Sequence, residues 1–248
     1  NTKLAKMNLT VHGLEGNIQE GNTFYEDKQD MVGKADFVMA NPPFNVDGVD
    51  KAKDIVKKDP RLILDGKVNL PKNDNANYLW IQYFYNYLKP TGRAGFVMAS
   101  SASDAGHSEK DIREKLVKTG SVDVMMAIGN KFFYTRSLPC TLWFFDKGKP
   151  QDLQDQVLMI DARNVYHVVS ARSHIFTDEQ HANLNAIVWL YRGQQSRYLG
   201  LVQDYITRLS AEAQGVDDTL APLLDQLTQS QVALEAFGQA VSTLKDAA

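Results

Sequence analysis

Hydrophobic residues come in two kinds of run along this chain, one short and nearly unbroken, the other longer and spaced three and four apart. Short runs at 37–40, 94–99, 122–128, 141–145 and 157–163, bounded by turn-forming residues, read as strands buried in a sheet. A weaker run at 18–24 crosses Gly21 and reads as a short edge strand. Helical spacing marks Leu4, Met7, Leu9 and Val11, closed by Gly13. It recurs in Leu79, Trp80, Tyr83, Phe84, Tyr87 and Leu88, with Asn75 or Asn77 as the cap and a break at Pro90-Thr91-Gly92. Ser108-Glu109-Lys110-Asp111 has the form of a capping box for a helix through Leu116 and Val117, stopped by Gly120. Thr177 and Gln180 form another, opening a helix through Leu184, Ile187, Val188 and Tyr191 to Gly193. Strands alternating with helices predict an α/β fold. The last fifty residues are helical and amphipathic, with Leu199, Val202, Ile206, Leu209, Leu220, Leu224, Leu227, Leu234 and Val241 near heptad spacing, interrupted at Gln231 and Gly238.

The first short run ends at Asn41, Pro42, Pro43 and Phe44. Each proline fixes its own φ, lacks an N–H and pushes the residue before it into extended geometry. Two acceptors, the Asn41 side-chain oxygen and the Pro42 carbonyl, are therefore held beside an aromatic ring, at the carboxyl end of a strand where open α/β sheets keep their ligands. An exocyclic amine suits that arrangement. Its lone pair is delocalised into its ring, and it becomes nucleophilic only when both N–H groups are hydrogen-bonded and the nitrogen is drawn toward tetrahedral geometry. Phe44 stacking on the ring is worth roughly 1–3 kcal/mol for a nucleobase, and the base would have to leave a duplex to reach it. No general base is needed, since the methylated amine is cationic and loses its proton readily.

Asn41-Pro42-Pro43-Phe44 resembles the target-amine motif of S-adenosylmethionine-dependent amino methyltransferases, DNA adenine-N6 enzymes above all. Ala5-Lys6-Met7-Asn8-Leu9, His12-Gly13 and then Gly21-Asn22-Thr23 resemble the modification (M) subunits of type I restriction-modification systems. Leu88-Lys89-Pro90-x-Gly92 before a strand is similar to a phrase widespread in Rossmann-like methyltransferases. The resemblance covers residues 1–195 with the motifs in family order. It implies a Rossmann-like methyltransferase sheet followed by a helical region, and site-specific DNA adenine-N6 methylation with S-adenosylmethionine as cofactor. Asn22, where many relatives carry Asp, would lie beside the cofactor's adenine. The last two strands would pair antiparallel, and an aromatic residue in their connection would sandwich the flipped adenine opposite Phe44. Counting back from the strand at 141–145 puts Phe133 there, with Phe132 the one-residue alternative. The implied partners are DNA, the specificity (S) and restriction (R) subunits, and a second M subunit.

The resemblance also implies a glycine-rich turn for the cofactor and an acidic residue for its ribose. Neither is found here, and the family order places both upstream of Asn1. The chain thus reads as a piece of a longer protein, holding about five of seven strands and inactive alone. The expected divisions are 1–150, the later part of a catalytic domain; 151–195, a connecting strand and helix; and 196–248, a helical tail that docks on another subunit.

Composition narrows the reading further. A hydrophobic content of 44% supports one substantial core with a smaller second element. A net charge of −3 gives no global basic footprint, so any DNA contact is local or shared with a partner. The lone Cys140 fits a reducing, cytoplasmic setting, and no apolar run reaches membrane-spanning length. In the polar stretch 45–74 lysines and aspartates nearly cancel, which predicts a solvated loop with one short helix. The five histidines lack metal-ligand spacing, and His107 and His174 are expected to be exposed or capping. Two rivals stand beside the DNA reading. One is methylation of a protein glutamine amide, against which Phe44 in place of Tyr argues; the other is a helical assembly module on an α/β scaffold.

Overall fold

Residues 1–72, 74–133 and 136–246 are described by a computed structural model. Asn73 in the polar stretch, Tyr134 and Thr135 in the aromatic connection, and residues 247–248 of the tail lie outside the described residues. Helix α1 (Thr2–Val11) forms where the spacing predicts it and buries none of its residues. Residues 18–24 make no strand. Asn22 opens a turn there instead: its side-chain oxygen accepts from Phe24 N at 3.1 Å and its carbonyl from the N–H groups of Tyr25 and Glu26. That turn swings Phe24 into the core against Trp80, ring centroids 4.7 Å apart.

Strand β1 (Ala35–Ala40) carries the proline motif at its end. The polar stretch follows, with α2 (Asp54–Lys57), a 3₁₀ turn (Pro60–Leu62) and the small hairpin β2 (Ile63–Leu64)–β3 (Lys67–Val68). It is a packed lobe, contrary to the solvated loop expected from its charges. Val49, Val56 and Leu62 are buried with Phe24, Leu79 and Tyr83. The Asp59–Arg61 pair, 2.7 Å apart, is buried with the guanidinium over the Tyr83 ring. The two charges stand two residues apart, and it is their burial against Tyr83 of the following helix that the charge pattern conceals.

Helix α3 (Asn77–Tyr87) crosses to β4 (Leu88–Ala99), which pairs parallel with β1. Pro90 and Gly92 were expected as a break between helix and strand, yet both lie within β4. The register jumps from Ala35–Leu88 to Phe37–Arg93, so they occupy a bulge where proline needs no ladder bond. A side chain at Gly92 would meet the Ala35 carbonyl at 2.7 Å. Next come α4 (Ser101–Asp104) and α5 (His107–Lys118). Ser108 does not cap α5; it lies inside the first turn, and its hydroxyl accepts from Lys72 N at 2.8 Å. Gly120, at φ 71°, ends the segment as expected.

Strands β5 (Val122–Ile128) and β6 (Cys140–Asp146) pair antiparallel, and β7 (Leu158–Ala162) adds parallel to β5. The sheet order is β1-β4-β6-β5-β7, with β6 alone reversed. Its core joins Phe96, Trp143 and Phe145 of the sheet to Tyr78, Ile81 and Phe84 of α3 and Ile112 and Leu116 of α5. Cys140 is buried, and burial pushes its thiol up to about 11, so it stays protonated as a packing residue. A hairpin, β8 (His167–Ser170) with β9 (Ser173–Ile175), precedes α6 (Asp178–Tyr191). The Thr177–Gln180 capping box forms in both directions, at 3.0 and 3.2 Å.

The chain divides into two compact units, Asn1–His181 and Ala182–Ala248. The second contains the end of α6 and the 52-residue helix α7 (Gln195–Asp246). Leu199, Ile206, Leu209, Leu220, Leu224, Leu227 and Leu234 are exposed along α7, and Pro222 lies within it.

Candidate functional site

Parallel pairing with β4 carries β1 to the rim where Asn41 and the prolines turn the chain. Pro42 is buried, Asn41 is exposed and Phe44 is half-buried. Among the described residues neither the Asn41 side chain nor the Pro42 carbonyl has a hydrogen-bond partner, so neither acceptor is spent within the fold. The next residue, Asn45, has a left-handed backbone (φ 52°), which asparagine tolerates better than most residues. Buried Asn77, at the start of α3, holds it from both sides. Asn77 Oδ1 accepts from Asn45 N at 2.9 Å, and Asn77 Nδ2 donates to Asn45 Oδ1 at 2.7 Å. Asn77 is therefore a clamp on the motif, while Asn75 Oδ1 accepts from its N–H at 3.2 Å.

Phe133 comes to this turn from the connection between β5 and β6. Its ring meets the Phe44 ring edge-on, centroids 6.0 Å apart and planes at 77°. Asn41, Pro42, Pro43, Phe44 and Phe133 line one cleft of about 430 Å³, together with Arg136 and Leu138. Sequence reasoning did not single out Arg136 and Leu138, because no motif marks them and only the chain's return into β6 brings them there. Phe132 points to other neighbours: its ring lies 4.7 Å from Phe176 and 6.3 Å from His174. His174 N donates to the Lys131 carbonyl at 2.9 Å, so the β8–β9 hairpin braces the connection that presents Phe133.

Asn22 lies apart from this cleft. Its Oδ1 is engaged by Phe24 N, and the neighbouring Gly21 and Thr23 line a groove of about 380 Å³ along one face of β1. Phe37 and Met39 face that groove and are 79% and 94% exposed, whereas Val38 and Ala40 pack on the core. The expectation that this strand is buried in the sheet therefore holds for one face only: alternate residues point to opposite faces, and the face of Phe37 and Met39 is left open among the described residues. As a test of fit for a nucleoside cofactor, the groove offers apolar surface and one turn. No glycine-rich turn follows a strand here, so the described residues supply at most one wall of such a site. Among the described residues no His, Cys, Asp and Glu cluster could hold a metal ion, and no helix is long and apolar enough to cross a membrane.

Comparison with known proteins assigns the chain to a family and a fold. The family model described as N-6 DNA Methylase matches residues 1–203. The type I restriction enzyme MjaIX methylase subunit of Methanocaldococcus jannaschii is 44% identical over 179 residues, which are 71% of this chain and 32% of that protein. The HindI methylase subunit of Haemophilus influenzae is 29% identical over 73% of this chain and 40% of its own length. The crystal structure of the type I restriction-modification system methyltransferase subunit from Streptococcus thermophilus superposes with a TM-score of 0.64 at 26% identity, covering 75% of this chain and 39% of that one. The chain spans about a third of the length of the curated relatives it matches. The sheet and the helices that follow it have the Rossmann-like methyltransferase fold of these subunits.

Proposed function

Because the chain belongs to the N-6 DNA methylase family, we propose that its Asn41-Pro42-Pro43-Phe44 turn activates the exocyclic amine of an adenine swung out of DNA, as the catalytic element of a type I modification subunit. The observation that carries this reading is the pair of unpartnered acceptors, Asn41 Oδ1 and the Pro42 carbonyl, beside the facing rings of Phe44 and Phe133. The two acceptors take the two N–H groups of the amine and fix its lone pair toward the methyl donor. Phe44 and Phe133 hold the base, and their edge-on contact must open into a slot as the base enters. Arg136, at the lip of the cleft, suits a phosphate beside the extruded nucleotide. Asn77 keeps the turn after the motif in place through Asn45.

S-adenosylmethionine supplies the methyl group in this chemistry. Of the residues here, the turn at Asn22 and the bare face of β1 would form part of its surroundings, and the remaining wall would come from elsewhere in the assembled enzyme; this chain alone is then expected to be inactive. In the full-length protein that supplies the remaining wall, Asn41→Ala is expected to lower methyl transfer by about 10²–10³-fold, as loss of an acceptor that acts mainly in the transition state should. Cofactor affinity should stay near the parent value. Turnover within threefold of the parent would remove Asn41 from the mechanism.

The exposed apolar seam of α7 supports a docking role toward a specificity subunit, in a complex that also holds a restriction subunit and a second modification subunit. The relatives' names call them methylase subunits of type I restriction enzymes. Deleting residues 196–248 should abolish co-purification with the specificity subunit while the first unit keeps its circular dichroism and melting temperature. Complex formation at native stoichiometry without those residues would exclude this role.

A further inference from the structure

A second, polar cleft of about 900 Å³ opens at the carboxyl ends of β4, β5 and β7, and the proposed target site leaves it unused. The 129–139 connection lines both clefts, with Phe133, Arg136 and Leu138 in the one and Lys131 and Pro139 in the other. The start of β6 forms the floor, because β6 lies between β4 and β5 in the sheet. A side chain at Gly129 would meet the Arg163 carbonyl at 2.5 Å, so only glycine lets the ends of β5 and β7 close this wall.

The two walls differ in charge. Ser103 and Asp104 stand on the β4 side, while Lys131 and Arg163 stand on the β5 and β7 side. Arg163 is fixed by two bonds to Asp161, at 2.8 and 2.7 Å, which largely meets its charge. Lys131, with a left-handed backbone (φ 70°), makes no ion pair among the described residues. The Tyr166 ring lies flat on the His174 ring, centroids 4.1 Å apart and planes at 6°. Ser103 Oγ and His174 Nδ1 are buried without a hydrogen-bond partner among the described residues. Such groups carry an unmet desolvation cost that a hydrogen-bonding ligand relieves.

We propose that this cleft is a second DNA subsite, which takes a nucleotide flanking the target adenine. The proposal rests on the reading of the Asn41 turn as a DNA site. Lys131 meets the phosphate, and Tyr166, backed by His174, offers a ring for the base to stack on. Ser103 and Asp104 on the opposite wall accept from an exocyclic amino group, as a carboxylate does from cytosine N4. A bare anion would suit the cleft less well, since the charges of Lys131, Arg163, Asp104 and Asp161 cancel. A nucleotide matches both walls. Such a local, ordered site also reconciles DNA binding with a chain whose net charge is −3.

The test uses the full-length protein assembled with its partner subunits and a duplex of about 20 base pairs carrying an unpaired adenine, a base that is extruded at low cost. Fluorescence anisotropy is read across a salt series. Lys131→Gln should lower the slope of log K against log salt by about 1, and Lys131→Arg should restore it. Tyr166→Ala should weaken binding roughly five- to hundredfold at fixed salt, with the salt slope unchanged. In parallel, 2-aminopurine at the target position reports retention of the extruded base in Phe44→Ala. If Lys131→Gln and Tyr166→Ala bind as the parent does while Phe44→Ala loses the 2-aminopurine signal, the second subsite is overturned and the target site stands. A Lys131→Arg variant as impaired as Lys131→Gln also overturns it, since the charge is then not what matters. If the parent itself does not bind DNA, the reading of the Asn41 turn fails and takes the subsite with it.

Discussion

Strands β1 and β5 look alike as sequence and differ as structure. Ala-Asp-Phe-Val-Met-Ala and Val-Asp-Val-Met-Met-Ala-Ile are both short, nearly apolar and interrupted by one aspartate at the second position. β5 lies between β6 and β7, and all of it but Ala127 is buried. Among the described residues β1 pairs with β4 alone, and alternate residues Phe37 and Met39 stand open to the groove. An apolar run therefore marks a strand, but its burial belongs to its neighbours. The strand ends differ too. Two prolines make the end of β1 rigid and leave acceptors free, whereas Gly129 after β5 lets the chain approach Arg163 closely.

The largest expected effect in this comparison is on stability. Met126→Ala in β5 removes a buried side chain and should cost about 2–5 kcal/mol in urea unfolding of the 248-residue chain. Met39→Ala in β1 should change it by no more than about 0.5 kcal/mol, as exposed substitutions do. Equal costs at the two positions would mean that the Met39 face is covered in solution.

A second measurement separates the two rings after β5. Phe133→Ala should weaken retention of an extruded 2-aminopurine by about 1–3 kcal/mol. Phe132→Ala, which loses contacts to Phe176 and His174, should act through the brace and lower the melting temperature of the first unit. If Phe132→Ala abolishes the 2-aminopurine signal and Phe133→Ala does not, the assignment shifts by one residue.

The smallest effect lies at the end of β7. Hydrogen bonds from the Arg163 side chain and backbone hold the Asp161 carboxyl down at about 2 from its ordinary 3.8. A lowered carboxylate pKa contributes stability that is present above the ordinary value and lost as pH falls through the folded one, here between about 4 and about 2. The group is exposed, so the contribution is slight. By NMR titration, Arg163→Gln should return the midpoint toward 3.8. A midpoint unchanged by that substitution would show that the pair is not formed in solution.

Much of the architecture was legible in local pattern. The five sheet strands, the helices at α1, α3, α5 and α6, the reciprocal Thr177–Gln180 cap and the long terminal helix each follow from period, capping chemistry or a glycine stop within a few residues. The errors have one local cause and two that lie across the fold. Asn22 spends its side chain on an Asx turn where a strand was expected, Pro90 fits a bulge, and Ser108 bonds Lys72 instead of its own helix. Of the candidate site, the Asn41 turn was visible because prolines act on their own backbone and need no partner.

By itself, then, the sequence determined the interactions that close within a turn or a few residues: caps, stops, strand runs and a rigid pair of acceptors. The tertiary structure alone decided which of two adjacent rings meets Phe44, that Asn77 reaches across 32 positions to hold Asn45, that the neighbouring Asp59 and Arg61 are buried as a pair, and that Lys131, Tyr166 and His174 share a cleft. The physical reason is that hydrogen-bonding and turn geometry are set by neighbouring residues, whereas packing, burial and convergence of side chains depend on strand order. That order is fixed by which apolar faces find one another in space.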